Sequence, residues 1–174
     1  GPKKIPVSLS QNRELLIELG AISTESRDLL FFHQLMPGQR AIKEKPNAIA
    51  LVVGVEDYEL TASAKYAEAD VKKFQSYAVQ NLGIKPRNVI TIFGRDATER
   101  GVLLAIRKKL LRSIRSDQSD VYVFFAGHGL ASDNGEKMYL LPYDGSPELL
   151  DDTAILRDRL FSDIVCQRTT CLSG

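Results

Sequence analysis

Cysteine is scarce in this sequence, which contains only Cys166 and Cys171, both close to its C-terminal end. Two closely spaced cysteines do not make the disulfide framework of a domain of this size, and this predicts a reducing, cytoplasmic setting. Histidine is equally rare, and neither His33 nor His128 stands at a metal-ligand spacing. We therefore expect no zinc site.

Long apolar runs and a strong charge of one sign are also missing. No stretch approaches the roughly 18 apolar residues of a membrane-spanning helix, and the sequence does not open on a signal peptide. The formal net charge is +1, so no overall positive field favours nucleic acid or an anionic membrane. Because hydrophobic residues make up 44% and charged residues 26%, the composition is that of a globular domain with neither of these partners.

Glycine-rich phosphate-binding motifs are absent as well. No GxGxxG follows the first predicted strand, GxxxxGK followed by Ser or Thr does not occur, and the loop after that strand is acidic. We therefore expect no dinucleotide or P-loop cofactor. Calcium activation stays open, although the acidic residues between 133 and 152 do not form an EF-hand pattern.

Strand and helix patterns alternate over residues 46–174. Strands are predicted at 48–55, 88–93 and 121–126, with a short apolar run at 138–142, and helices at 64–82, 98–114 and 153–164. This alternation implies right-handed crossovers and a mainly parallel sheet, so the fold class is α/β. The second helix has a basic face without aromatic residues, which favours a solvated face over a nucleic-acid site. That face consists of Arg107, Lys108, Lys109, Arg112 and Arg115.

Residues 3–45 differ in character from the rest. Two apolar clusters at helical spacing predict two helices, and Pro37 and Gly38 end the pattern. Two interpretations stay open for this N-terminal helical segment: packing on the main domain, or a regulatory pro-segment or arm that docks a partner through an apolar face. His33 lies within the second cluster and is interpreted as a packing residue.

The third strand ends in a histidine between two glycines, in the run VYVFFAGHG at 121–129. The run predicts a strand buried on both faces. Gly127 and Gly129 allow a sharp turn and a close approach of another group. Since ligands of open α/β sheets bind at the carboxyl ends of the strands, His128 is the first candidate functional residue. Cys171 is a candidate nucleophile, because an imidazole beside a thiol can take its proton.

Five segments follow one another in the order found in caspase-like cysteine proteases: ALVVGVEDY, AEADVKKF, VYVFFAGHG, MYLLPYDG and TTCLSG. Over residues 47–174 the sequence most resembles the metacaspase-type and bacterial members of that family. The resemblance implies a caspase-like three-layer sandwich, with a mainly parallel central sheet flanked by helices. It also implies a zymogen whose peptidase domain, residues 46–174, corresponds to the large-subunit portion.

The same resemblance implies the site residues of a peptidase that acts on proteins or peptides. His128 is the general base and acid, Cys171 is the nucleophile, and the backbone N–H groups of Gly129 and Cys171 stabilise the oxyanion. Asp70 is the implied acidic residue of the pocket that receives the side chain before the cut. Because Lys65 is the only basic residue in the stretch from Glu56 through Asp57 to Asp70, Arg or Lys is expected at that position.

Two departures from the family pattern keep an alternative open. Thr169 stands where these relatives usually carry Asp, and residues 165–170 are too short and polar for a turn plus a buried strand that would deliver Cys171 beside the histidine strand. The alternative is a catalytically inactive, pseudoprotease-type module that acts as a scaffold or regulator. A third hypothesis is a flavodoxin-like domain that binds a small molecule.

Overall fold

The computed structural model describes the backbone of residues 43–169 and the side chains of residues 43–166. The predictions for residues 3–42, including the N-terminal helices and His33, lie outside these residues. Those for Cys171, as nucleophile and as oxyanion donor, also lie outside them.

A three-stranded parallel sheet forms the centre of the described domain. Its strands are β1 (Ile49–Gly54), β2 (Val89–Phe93) and β3 (Val121–Ala126), in the order β2-β1-β3. The central strand pairs Leu51 with Ile90 on one side and with Val123 on the other. The predicted strands and their parallel arrangement are confirmed.

Helices cover both faces of this sheet. Helix α1 (Ala67–Gln80) packs on one face, and α2 packs on the other; α2 is α-helical over Glu99–Leu104, π-helical over Ala105–Leu110 and α-helical again over Leu111–Ser113. The alternation along β1 explains this arrangement, since successive side chains of a strand point to opposite faces. One face contributes Ile49, Leu51 and Val53 to the α2 side, whereas Ala48, Ala50 and Val52 pack on the α1 side. The predicted sheet flanked by helices is therefore confirmed.

A second, antiparallel sheet follows the histidine. It consists of β4 (Gly129–Ala131), β5 (Met138–Leu140) and β6 (Ile155–Leu156), in the order β4-β5-β6. The short helix α3 (Leu150–Thr153) precedes β6, and helix α4 (Arg157–Thr169) follows it. The helix predicted at 153–164 thus begins and ends later than expected, and β6 occupies part of its predicted start.

The prediction that β3 is buried on both faces is wrong. All six of its residues are half-buried, whereas all six residues of β1 are buried. The reason is position, because β1 lies between two strands while β3 lies at the edge of the described three-stranded sheet. The composition of the apolar run in β3 is therefore typical of a more buried strand than β3 itself.

Among the helices of residues 43–169, none has both the length and the apolar composition of a membrane span.

Candidate active site around His128

His128 lies at the junction between the two sheets. β3 ends at Ala126, whose carbonyl accepts a hydrogen bond from the N–H of Val55 at 2.8 Å, and β4 begins at Gly129. The His128 carbonyl oxygen accepts from the N–H of Leu141 at 3.0 Å. The backbone of His128 is therefore held by the second sheet, at the carboxyl end of the first. The predicted position of His128 at the end of the third strand is confirmed.

Tyr58 fixes His128 from the loop that follows β1. The backbone N–H of His128 donates to the Tyr58 hydroxyl oxygen at 2.6 Å, and the two rings lie 4.8 Å apart between centroids. Burial raises the pKa of the Tyr58 hydroxyl above its ordinary value of 10.0. Tyr58 is therefore a neutral hydroxyl that accepts one hydrogen bond from the His128 backbone and packs against its imidazole.

The close approach of Tyr58 explains why glycine precedes His128. A Cβ at Gly127 would lie 2.5 Å from the Tyr58 hydroxyl oxygen and 3.2 Å from the Val55 carbonyl oxygen, and the φ of Gly127 is +156°. A Cβ at Gly129, by contrast, would meet nothing closer than 3.9 Å. The two glycines that flank His128 thus have different roles, and only Gly127 is required for space.

The Ala62 carbonyl sets the tautomer of the imidazole. His128 Nε2 lies 2.8 Å from the Ala62 carbonyl oxygen, and the contact is exposed to solvent. A carbonyl oxygen only accepts hydrogen bonds, so Nε2 carries a proton in this contact. In the neutral ring the other nitrogen, Nδ1, is then the unprotonated one that can accept a proton from a donor such as a thiol.

The N–H of Gly129 points away from the hairpin that contains it. Bonded and non-bonded pairs alternate along an antiparallel ladder. Because Leu141 N–H donates to the His128 carbonyl, the next pair, Gly129 with Leu140, is a non-hydrogen-bonded pair. The Gly129 N–H is therefore directed away from β5, on the residue directly after His128.

The predicted substrate-binding acids have three different surroundings. The Glu56 carboxylate accepts from the N–H of Glu68 at 3.2 Å, near the start of α1. Asp57 accepts from the Ser63 hydroxyl at 2.9 Å and is exposed. Asp70 lies on α1 and forms an ion pair with Lys73, with Oδ1 and Nζ 3.6 Å apart.

A polar cavity of about 500 Å³ lies at the carboxyl ends of β1 and β2. Of the three predicted acids only Asp57 lines it, and Tyr58, which contacts His128, lines it too. Tyr58 is therefore the residue that links His128 to the cavity that Asp57 lines. The other lining residues are Ser63, Glu68, Gly94, Arg95 and Tyr143.

The segment that leads to the predicted nucleophile is helical. Helix α4 continues to Thr169, two residues before Cys171 in the sequence. Residues 165–169 are therefore helical, whereas delivery of Cys171 beside the histidine strand requires an extended segment there. In the described part of the chain, no strand lies on the outer edge of β3.

Tyr58 and Ala62 are the two site residues that were missed from the sequence. Ala62 acts through its backbone carbonyl, which no residue type reveals. Tyr58 does carry a signal, because it ends the ALVVGVEDY segment directly after the acidic pair. A buried tyrosine needs a partner for its hydroxyl, and the neighbouring strand end is the nearest source of one.

Comparison with known families identifies the family of the chain. The family model for the caspase domain, a peptidase family, matches residues 47–170. The chain belongs to the caspase-domain family. This is a cysteine-peptidase family with protein substrates, and the parallel sheet flanked by helices agrees with the assignment. No curated protein matches the chain.

Proposed function

We propose that this protein is a cysteine endopeptidase of the metacaspase-type or bacterial caspase-like kind, with His128 and Cys171 as its catalytic dyad. The observation that carries this proposal is the fixed imidazole of His128. Tyr58 holds its backbone and the Ala62 carbonyl orients its Nε2–H, which leaves Nδ1 as the base. An imidazole oriented by a third group is the arrangement that activates a nucleophile.

The proposed reaction begins when Nδ1 of His128 takes the proton of the Cys171 thiol. The thiolate attacks the scissile carbonyl carbon, and the oxyanion that forms is stabilised by the N–H groups of Gly129 and Cys171. The imidazolium then gives its proton to the leaving amine as the C–N bond breaks, which leaves a thioester on Cys171. Water activated by the neutral imidazole hydrolyses the thioester and restores both groups.

The acidic residues after β1 support a preference for Arg or Lys before the cut. We propose Asp57, Glu56 and Asp70 as the acids that attract such a side chain. We favour Asp57 among the three, because it lines the same cavity as Tyr58 and the Ser63 hydroxyl orients its carboxylate. A guanidinium or ammonium group binds a carboxylate through charge-assisted hydrogen bonds, which discriminates against an acidic side chain.

The remaining expectations concern the setting of the enzyme. We propose that it acts in a reducing, cytoplasmic compartment, because the nucleophile must be a thiolate. It needs no metal for the dyad chemistry, whereas activation by calcium is a separate question that a comparison of rates with added calcium and with a chelator answers. The segment 3–45 is proposed as a pro-segment or docking arm.

A second candidate function is a catalytically inactive caspase-like module. The observation that favours it is helix α4, which continues to Thr169 and takes the sequence before Cys171 away from an extended path. A scaffold needs the fold and the N-terminal segment but not the dyad. The two candidates differ in one measurable property, the reactivity of Cys171.

Turnover of fluorogenic peptides tests the first candidate. The protein is assayed in reducing buffer with matched peptides ending in Arg, Lys or Asp, beside the variants His128→Ala, Cys171→Ala and Cys166→Ala. We expect cleavage of the Arg and Lys peptides, its loss in the first two variants, and its retention in Cys166→Ala. Turnover that survives both His128→Ala and Cys171→Ala contradicts the dyad.

Covalent labelling distinguishes the two candidates even if turnover is slow. An Arg-containing peptide with an electrophilic ketone is added at neutral pH, and the labelled cysteine is identified by mass spectrometry. The peptidase hypothesis expects rapid labelling of Cys171 that depends on His128. Labelling of Cys171 at the rate of a simple thiol, unchanged in His128→Ala, supports the inactive module instead.

A further inference from the structure

A second cavity, of about 330 Å³, lies at the opposite end of the parallel sheet from His128. We call it the arginine cavity, because three of its lining residues are Arg87, Arg112 and Arg115 and no acidic residue lines it. Its other lining residues are Pro46, Asn47, Ile49, Asn88 and Ser113. Ile49 is the first residue of β1 and Gly54 the last, so at about 3.3 Å per residue the strand separates this cavity from the His128 end by roughly 17 Å.

The three arginines come from two different parts of the fold. Arg87 lies in the short turn Pro86–Asn88 that leads into β2, whereas Arg112 lies at the end of α2 and Arg115 follows two residues after that end. Basic residues at a helix C-terminus interact favourably with the helix dipole, and this explains Arg112 and Arg115 without any ligand. It does not explain Arg87, which belongs to another element and lines the same cavity.

None of the three guanidinium groups has an acidic partner among the described residues. The ion pairs of this part of the chain involve Lys45, Lys73, Lys85, Lys137 and Arg157 instead. Three like charges around one cavity repel one another, and their repulsion is relieved by a bound anion. Guanidinium groups bind phosphate oxygens in a bidentate manner, which makes arginine the preferred residue for this ligand.

The backbone around the arginine cavity is held in place by hydrogen bonds. The Asn88 amide donates to the Pro46 and Ala48 carbonyl oxygens, at 3.1 and 3.0 Å, and so fixes the chain before β1. On the other wall, the Ser119 hydroxyl accepts from the Arg115 N–H at 2.9 Å, and Ser119 is buried. The backbone beside Arg87 and at Arg115 is therefore fixed before any ligand binds, so that the ordering cost of binding falls mainly on the exposed arginine side chains.

These hydrogen bonds also limit which groups can contact a ligand. The Asn88 amide donors are already used, and the Ser113 hydroxyl donates to the Lys109 carbonyl at 2.7 Å. Recognition is left to the three guanidinium groups and the side chain of Asn47. A ligand suited to them carries several negative oxygens within a small volume and needs no base or sugar contact.

We infer that the arginine cavity binds a small oligophosphate, either inorganic or the phosphate chain of a nucleotide. The volume is at the lower end of that of ligand pockets, which fits two or three linked phosphate groups rather than a large molecule. Single-stranded nucleic acid is disfavoured because no aromatic residue lines the cavity on which a base could stack. The inference concerns binding alone and does not depend on the proposed peptidase activity.

Isothermal titration calorimetry of the full chain in phosphate-free buffer at about 0.1 M NaCl tests this inference. Tripolyphosphate and a nucleoside triphosphate are titrated separately, so that equal affinities indicate recognition of the phosphate chain alone and a tighter nucleotide indicates a contribution from the nucleoside. Arg87→Gln, Arg112→Gln and Arg115→Gln are each expected to raise the dissociation constant about tenfold or more, the effect of losing a hydrogen bond to a charged group. Thermal melting without ligand verifies that each variant is folded.

The matched control is Arg107→Gln, which removes the same charge from an exposed position of α2 outside the cavity. We expect it to change the dissociation constant less than about twofold, since Arg107 does not line the cavity and salt screens charges beyond a Debye length of about 10 Å. Absence of tripolyphosphate binding in the unsubstituted protein, or an equal loss in Arg107→Gln, overturns the inference. Tighter binding of an oligonucleotide or of a polyglutamate peptide than of tripolyphosphate also overturns it, because it points to a surface patch for a macromolecule.

Discussion

The Tyr58 hydroxyl oxygen accepts a hydrogen bond from the backbone N–H of His128 at 2.6 Å, although the two residues are 70 positions apart in the sequence. This contact joins the loop after the central strand to the end of its neighbour. It fixes the backbone that carries the imidazole, and the Tyr58 ring also packs against the imidazole ring. The position of the His128 imidazole therefore depends on Tyr58, a residue of a different loop.

Replacing Tyr58 with Phe should destabilise the fold by about 1–2 kcal/mol. The ring still packs against His128, but the part-buried N–H of His128 loses its acceptor, and an unsatisfied donor of this kind costs that amount. The free energy of unfolding from urea titration measures the effect. The control is Tyr66→Phe, because Tyr66 is 65% exposed and its hydroxyl loss should change stability by less than about 0.5 kcal/mol. Equal losses in the two variants would contradict the role assigned to the Tyr58 hydroxyl.

Gly127→Ala and Gly129→Ala should differ sharply, although both place a methyl group beside His128. At Gly127 the new Cβ would lie 2.5 Å from the Tyr58 hydroxyl oxygen, so we expect a loss of about 1–3 kcal/mol in the free energy of unfolding. At Gly129 its nearest neighbour is at 3.9 Å, and the change should stay below about 1 kcal/mol.

The double variant Tyr58→Phe with Gly127→Ala sharpens this test. Removing the hydroxyl removes the closest clash, so the combined loss should be smaller than the sum of the two single losses. Contacts of the new methyl group with Val55 and Phe125 remain, so the rescue should be partial. Strict additivity of the two losses would show that the clash lies elsewhere.

The elements that sequence reasoning predicted are those with long periodic patterns. Helix α1 was expected from apolar positions that do pack on the sheet, but it begins at Ala67 rather than at residue 64 because Tyr66 adopts a left-handed conformation, with φ of +73°. The second sheet was missed because its strands have only two or three residues each, too few to show an alternating pattern.

Sequence reasoning likewise predicts only one part of the candidate site. The Gly-His-Gly turn is local, so its sequence predicts the position of His128 directly. The Ala62 carbonyl and the Tyr58 hydroxyl reach His128 only through the tertiary fold, across 66 and 70 residues, and no local pattern encodes such contacts. Residues 165–170 are too short and polar for a turn and a buried strand, and α4 includes this segment as far as Thr169.

Neutral His128 should carry its proton on Nε2. The Ala62 carbonyl accepts from this nitrogen at 2.8 Å, which stabilises that tautomer over the one protonated on Nδ1. Proton-detected ¹⁵N NMR of the histidine rings at a pH where they are neutral distinguishes the two forms. The sequence has only two histidines, so the His128→Ala variant assigns the signals. A predominant Nδ1–H form would remove the base from the proposed reaction.

Asp57→Asn should lower kcat/KM for Arg and Lys peptides by about tenfold, because a charge-assisted contact to the substrate becomes a neutral one. Asparagine still accepts from the Ser63 hydroxyl, so the free energy of unfolding should change little. Asp133→Asn, in an exposed part of the β4–β5 hairpin, serves as the control for a lost negative charge. If Asp70→Asn lowers the rate and Asp57→Asn does not, the basic side chain binds at α1 instead of in the cavity that Asp57 lines.

Asp151 should stabilise the second sheet at neutral pH and lose this effect in acid. Its carboxylate accepts hydrogen bonds from the Tyr139 hydroxyl and from the Lys137 ammonium group, the latter at 2.9 Å. These two donors lower the pKa of Asp151 below its ordinary value of 3.8, so the folded state binds the proton less readily than the unfolded state. The stabilisation is therefore complete above an unfolded-state pKa of about 4 and disappears as the pH falls through the lower folded-state pKa.

The consequence for Asp151→Asn is a difference from the unsubstituted protein that depends on pH. Thermal melting between pH 7 and pH 3 should show the variant melting at a lower temperature at neutral pH, with the gap closing as the pH falls below 3.8. Asp133→Asn removes a carboxylate from the β4–β5 hairpin that has no lysine or tyrosine partner among the described residues, and its melting temperature should run parallel to that of the unsubstituted protein. A gap for Asp151→Asn that stays constant down to pH 3 would mean that the shape of the side chain, and not its charge, holds α3 to the hairpin.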